Sequence, residues 1–93
     1  MIYATVKLTI KDADMFSAYA ERAGEALKKY GGAPVAQSRS PMVIEGSAEA
    51  PTRAVVLTFP DKESALGWIN DPEFAEVHAL RAGSGQSEII LLA

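Results

Sequence analysis

Residues 2 to 10 alternate without a break. Ile2, Ala4, Val6, Leu8 and Ile10 face one way, and Tyr3, Thr5, Lys7 and Thr9 the other. That period of two is a β-strand with one face given to a core. Asp12 or Asp14 then supplies an N-cap oxygen, and a carboxylate there also suits the positive end of a helix dipole. Phe16, Tyr19, Ala20, Ala23, Leu27 and Tyr30 recur at three- and four-residue steps and form one apolar helical stripe. Glu21, Arg22, Glu25, Lys28 and Lys29 occupy the other side, with Glu25 spaced to pair with Lys29. Gly31-Gly32 fits a left-handed helix stop. Gly24 costs this helix about 1 kcal/mol against alanine, and its place beside the stripe predicts close backbone packing on a sheet.

Two strand pieces follow, residues 35–39 and 42–46, separated by Ser40-Pro41, where proline marks an edge or a bulge. Residues 53–59 read as a third strand closed by Pro60, after which Asp61 caps a second helix carrying Ala65, Leu66, Trp68 and Ile69 inward. Asn70-Asp71-Pro72 breaks that helix, and Pro72 suits the first position of a new piece with Phe74, Val77 and Arg81 on one stripe. Gly83-Ser84-Gly85 ends it, and residues 87–92 form the last strand. The order β-α-β-β-α-β predicts an α+β, ferredoxin-like domain over residues 1–93, with both helices on one face of a four-stranded antiparallel sheet.

The second face of that sheet is not polar, as it would be in a monomer. Val55, Leu57 and Phe59 alternate with Ala54, Val56 and Thr58, and Ile89 and Leu91 alternate with Ile90 and Leu92. Both sides of both strands are apolar or neutral, so a homodimer through the sheet face is expected. Composition narrows the remaining classes. There is no cysteine, and the single histidine, His78, cannot build a multi-histidine metal site within one chain. Nine basic against twelve acidic side chains give a net charge of −3, which argues against a nucleic-acid partner. No membrane span and no secretory signal is read, so a cytoplasmic protein is expected.

Three groups are candidates for chemistry. His78 lies at the margin of its stripe, where it either reaches into a cleft beside Trp68 as a base or ligand, or sits at the surface. Arg81 shares the stripe of Phe74 and Val77, so it must snorkel, pair with a carboxylate (Glu45, Glu73 or one from a second subunit), or hold an anionic ligand. Arg39 and Arg53 flank the middle strands, where they either bind a carboxylate-bearing molecule or charge the sheet edges. Gly83-Ser84-Gly85 follows a helix rather than preceding one and is no phosphate cradle.

Taken together, Tyr30-Gly31-Gly32, Glu45-Gly46, residues 53–60, then Ala65, Trp68, Asp71-Pro72-Glu73-Phe74 and Leu80-Arg81 resemble the bacterial domain-of-unknown-function family 1330. The resemblance covers nearly the whole chain. It implies the dimeric α/β-barrel superfamily, in which ferredoxin-like protomers pair through their sheets, and implies no activity. Family members usually carry arginine after the two glycines and a glycine-rich stretch before the Glu-Gly pair. Here Ala33 and Ser38-Arg39-Ser40-Pro41 stand instead, so a ligand role of that arginine would pass to Arg39 or be lost.

Residues 68–78 also resemble the Trp-to-His stretch of haem-degrading and antibiotic-biosynthesis-type monooxygenases. That implies His78 as a haem ligand and Trp68 against a substrate, but the first-strand asparagine of those haem enzymes is matched by Val6, which carries no amide. The leading expectation is a homodimer binding a small apolar or aromatic metabolite through Trp68, Arg81, Arg53, Glu45 and Arg39, with no cofactor required. The alternatives are a monooxygenase-like enzyme, cofactor-free or haem-binding, that uses Trp68 and His78, and an accessory subunit without a ligand.

Overall fold

The computed structural model describes residues 1–93. Strand β1 (Ile2–Ile10) leads to helix α1 (Ala13–Lys29), then β2 (Ala33–Ser38), β3 (Arg53–Phe59), α2 (Lys62–Asn70), a 3₁₀ turn (Pro72–Phe74), α3 (Ala75–Gly83) and β4 (Gly85–Leu92). The sheet is antiparallel in the order β2-β3-β1-β4. This is the ferredoxin-like fold, with the second helix divided where Asn70-Asp71-Pro72 predicts the break.

Each start and stop has a local cause. Asp12 accepts from the Met15 N–H at 3.0 Å and Asp61 from the Ser64 N–H at 2.7 Å, which satisfies N-terminal amides that no helical carbonyl reaches. Gly31 ends α1 at φ 69°, a backbone region that a β-carbon disfavours. The core follows the alternation of β1. Ala4, Val6 and Leu8 are buried with Leu57 and Phe59 of β3 and with Ala26, Leu27, Ala65, Trp68, Phe74 and Val77 from the helical layer.

Three expectations fail. Residues 42–46 form no strand and belong to a long connection between β2 and β3. Beyond β2 there is no further strand to pair with, Pro41 lacks an N–H, and Met42 and Ile44 are 80% and 92% exposed. The connection is pinned only at its return, where Thr52 Oγ1 accepts from the Ile10 N–H at 2.7 Å and donates to the Leu8 carbonyl at 2.9 Å. Gly24 is not pressed against the sheet, because a β-carbon there would meet nothing within 4 Å. Glu25 does not hold Lys29, whose ammonium instead reaches Asp71 at 2.6 Å and Glu73 at 2.7 Å. A buried carboxylate from another element outbids an exposed neighbour one helical turn away.

On the outer sheet face, register places Thr5 between Val56 and Ile90, and Tyr3 between Thr58 and Leu92. Tyr3, Ile90 and Leu92 are exposed. No helix is long and apolar enough to cross a membrane.

Candidate functional site

Leu8 lies in register between Arg53 of β3 and Ser87 of β4, all three on the helix-covered face. Arg53 stacks over Phe16 at 4.8 Å, and Phe16 meets Tyr19 at 5.8 Å between ring centres. Tyr19 carries Arg81 at 5.6 Å, and Arg81 also covers Trp68 at 5.7 Å. Trp68 in turn packs on Phe59 at 5.3 Å and meets His78 edge-on at 5.0 Å. Two guanidinium groups and four aromatic side chains thus form one continuous stack, built from the inner stripe of α1, the last turn of α2, α3 and the inner face of β3.

Arg81 is 6% exposed, yet it has no carboxylate partner. Its Nε donates to Ser87 Oγ at 3.2 Å and its Nη1 to His78 Nδ1 at 2.8 Å. Because Nδ1 accepts, the histidine proton sits on Nε2, which donates to the Trp68 carbonyl at 2.8 Å. Burial pushes the His78 imidazole below its usual range; the Trp68 carbonyl opposes that shift, and the Arg81 charge adds to it. Within the chain, the expected pairing of Arg81 with Glu45 or Glu73 is therefore corrected. Glu45 lies exposed in the β2–β3 connection, and Glu73 pairs with Lys29.

Beside this stack lies a cavity of about 270 Å³ between α1 and the sheet. Phe16, Tyr19, Leu27, Val55 and Trp68 supply apolar wall, Arg53 and Gln37 supply polar atoms, and Gly24 leaves its side of the helix open. A smaller, wholly apolar cavity of about 160 Å³ lies under α2, and Trp68 and Ile89 line both. The indole Nε1 of Trp68 is the one buried side-chain polar atom without a partner.

A second polar cluster ties α1 to the turn after α2. Asp71 is buried and accepts from Lys29 Nζ and from Tyr30 Oη at 2.7 Å, while its other oxygen takes the Glu73 N–H. The Lys29 and Tyr30 hydrogen bonds hold the Asp71 carboxyl down at about 2, and the same bonds raise the Lys29 ammonium and the Tyr30 phenol.

Of the residues singled out in the sequence, Trp68, Arg81, Arg53 and His78 come together in or around the stack, whereas Arg39 and Glu45 lie exposed outside it. Sequence reading missed Phe16, Tyr19 and Gly24 as cavity lining. The first two were assigned to the core stripe, and the only hint was a glycine interrupting an otherwise good helix. No group of three or more metal-ligating side chains forms. A haem ligand would need a free nitrogen on His78; both are hydrogen-bonded and one faces a guanidinium, so the residues present do not fit haem.

Solved structures share the fold at low identity. A protein of unknown function from Rhodopseudomonas palustris is 19% identical with a TM-score of 0.82, over 98% of this chain and 79% of that one. A dimeric ferredoxin-like protein of unknown function from a Jannaschia species is 14% identical at 0.72, over 99% and 97%. SnoaB, a cofactor-independent oxygenase from Streptomyces nogalater, is 14% identical at 0.67, over 99% and 90%. No curated protein matches the chain. The family profile described as Domain of unknown function (DUF1330) matches residues 1–93, the full span over which the glycine pair, the Asp-Pro-Glu-Phe turn and Arg81 are set into this fold, and the chain belongs to that family.

Proposed function

We propose that residues 1–93 form one domain that works as a homodimer and binds a small aromatic metabolite between α1 and the sheet. The observation that carries this reading is the cavity of about 270 Å³ walled by Phe16, Tyr19 and Trp68. Small-molecule sites are mostly apolar hollows with a few placed polar groups, and they start at roughly 300 Å³. A ligand of one or two rings suits this size. Dimerisation is supported by exposed Tyr3, Ile90 and Leu92 on the outer sheet face and by the dimeric Jannaschia neighbour. Titration with 2-naphthol followed by amide and methyl chemical shifts tests the site. Saturable shifts centred on Val6, Val55 and Leu57 are expected, and shifts scattered over the surface would refute it. The protein is expected to sediment at twice its protomer mass, and Leu92→Glu to shift it towards the monomer.

A second reading, a cofactor-free monooxygenase acting on the bound aromatic, is favoured by Trp68 both lining the cavity and meeting His78, and by the SnoaB fold likeness. Oxygen uptake with a dihydroxynaphthalene, above its autoxidation rate and lost in His78→Gln, would support it. Uptake at the autoxidation rate alone would leave the binding reading in place.

A further inference from the structure

We infer that the ligand of the α1–sheet cavity is an anion, an aryl carboxylate whose ring lies among Phe16, Tyr19 and Trp68 and whose carboxylate is received by Arg53. This rests on the aromatic-binding reading above and adds the ligand's charge.

Three observations carry it. The polar side chains lining the cavity are Tyr19, Gln37, Arg53 and Trp68. All of them carry N–H or O–H donors and none is a carboxylate, so the wall offers positive charge and hydrogen-bond donors but no negative charge. Secondly, among the basic side chains with no carboxylate within 4.0 Å, Arg53 and Arg81 are the two that are not exposed. Arg53 is half-buried over Phe16 at the cavity wall, so its charge is partly desolvated without an anion to offset it. Thirdly, Arg81 is buried behind Tyr19 and Trp68, two side chains that themselves line the cavity. Its Nη2 makes no hydrogen bond with the protein, and its remaining partners are neutral. A buried guanidinium held by rings and a neutral imidazole keeps its full charge, and at low dielectric that charge acts on anything entering beside it. Arg53 lies beside Leu8 on β3, and Arg81 reaches down from α3 to Ser87, on the other side of Leu8 on β4, so their fields add at one end of the cavity. A carboxylate there takes a charge-assisted hydrogen bond from Arg53 and feels Arg81 through the aromatic wall.

The test compares 2-naphthoate with 2-naphthamide, its neutral counterpart of nearly the same shape, and benzoate with benzamide, by calorimetry and chemical-shift titration at neutral pH. The acid of at least one pair is expected to bind about tenfold tighter than its amide or more. Arg53→Gln should remove that preference while leaving the affinity for the amide within about twofold, and Arg81→Gln, its folding checked by its amide spectrum, should reduce the preference by a smaller factor. Equal binding of acid and amide would overturn the carboxylate assignment and leave the aromatic site standing. An acid preference that survives both substitutions would also overturn it. If neither pair gives saturable shifts at Val6, Val55 and Leu57, the aromatic site falls and the carboxylate assignment with it.

Discussion

Two cations brace the same helical layer in opposite ways. Lys29, at the end of α1, is met by Asp71 and Glu73, and Asp71 also accepts from the Tyr30 phenol, so each charge in that cluster has an opposite within hydrogen-bond distance. Arg81, in α3, is more deeply buried and has only a neutral imidazole, a serine hydroxyl and two aromatic rings. The first arrangement is closed and explains itself as a tie between elements. The second leaves a positive charge uncompensated beside a cavity, which a structural brace has no need to do. Position on a helix says little about which role a basic residue has; the sign of its neighbours says more.

The largest effect is expected at the ring that walls in the second arrangement. Trp68 is 4% exposed, shields Arg81, packs on Phe59 and gives its carbonyl to His78. Trp68→Ala should cost about 3–5 kcal/mol in urea unfolding; a loss below about 1 kcal/mol would mean that the stack is not part of the core. The contrast itself is tested by paired substitutions. Lys29→Met strands a buried carboxylate and should lower the unfolding midpoint clearly. Arg81→Met removes a buried charge that has no counter-ion, and should leave stability within about 1 kcal/mol of the starting protein, or raise it. The reverse ranking would break the comparison.

Acid titration sharpens it further. Asp71 is held at about 2 against an ordinary 3.8, so its folded form binds its proton later than the unfolded chain does. Its contribution is complete above the unfolded value and is lost as pH falls from there towards 2. His78 is also depressed, from 6.5, by burial. Its neutral form is favoured in the fold, so stability falls as pH drops below 6.5 towards the depressed value. Thermal midpoints should therefore decline in two stages, with His78→Gln removing the upper one and Asp71→Asn reducing the lower, to which the lowered Asp61 helix cap also contributes. On the alkaline side the raised Lys29 gives the opposite sign: its contribution is present below 10.5 and is lost only as pH rises beyond that.

Much of this was legible in the chain itself. The alternation of residues 2 to 10, the aspartate caps, the glycine stop and the Asp71-Pro72 break are local signals, and each reappears where the sequence puts it. Trp68 and Arg81 stand out because a large ring or a charge on an apolar stripe is unusual within a few residues of context, and Arg53 because it flanks a middle strand. What failed was non-local. Lys29 is spaced to pair with Glu25 because both lie on one helix, and its true partners are 42 and 44 positions away. Residues 42–46 have strand-like composition but no neighbour to bond with, and only the sheet order reveals that. The cavity is the emptiest signal of all, since a space between elements leaves no residue of its own in the sequence.

Gly24 is the exception. It sits in mid-helix where alanine would be favoured by about 1 kcal/mol, with nothing within 4 Å of a β-carbon and the cavity before it. Gly24→Ala should stabilise the protein by up to that amount while shrinking the room available. One position therefore trades durability against capacity. Larger residues there would progressively exclude bulkier guests without disturbing the strands that frame them, so relatives with different side chains at this site are expected to differ first in what they admit and only slightly in how they fold.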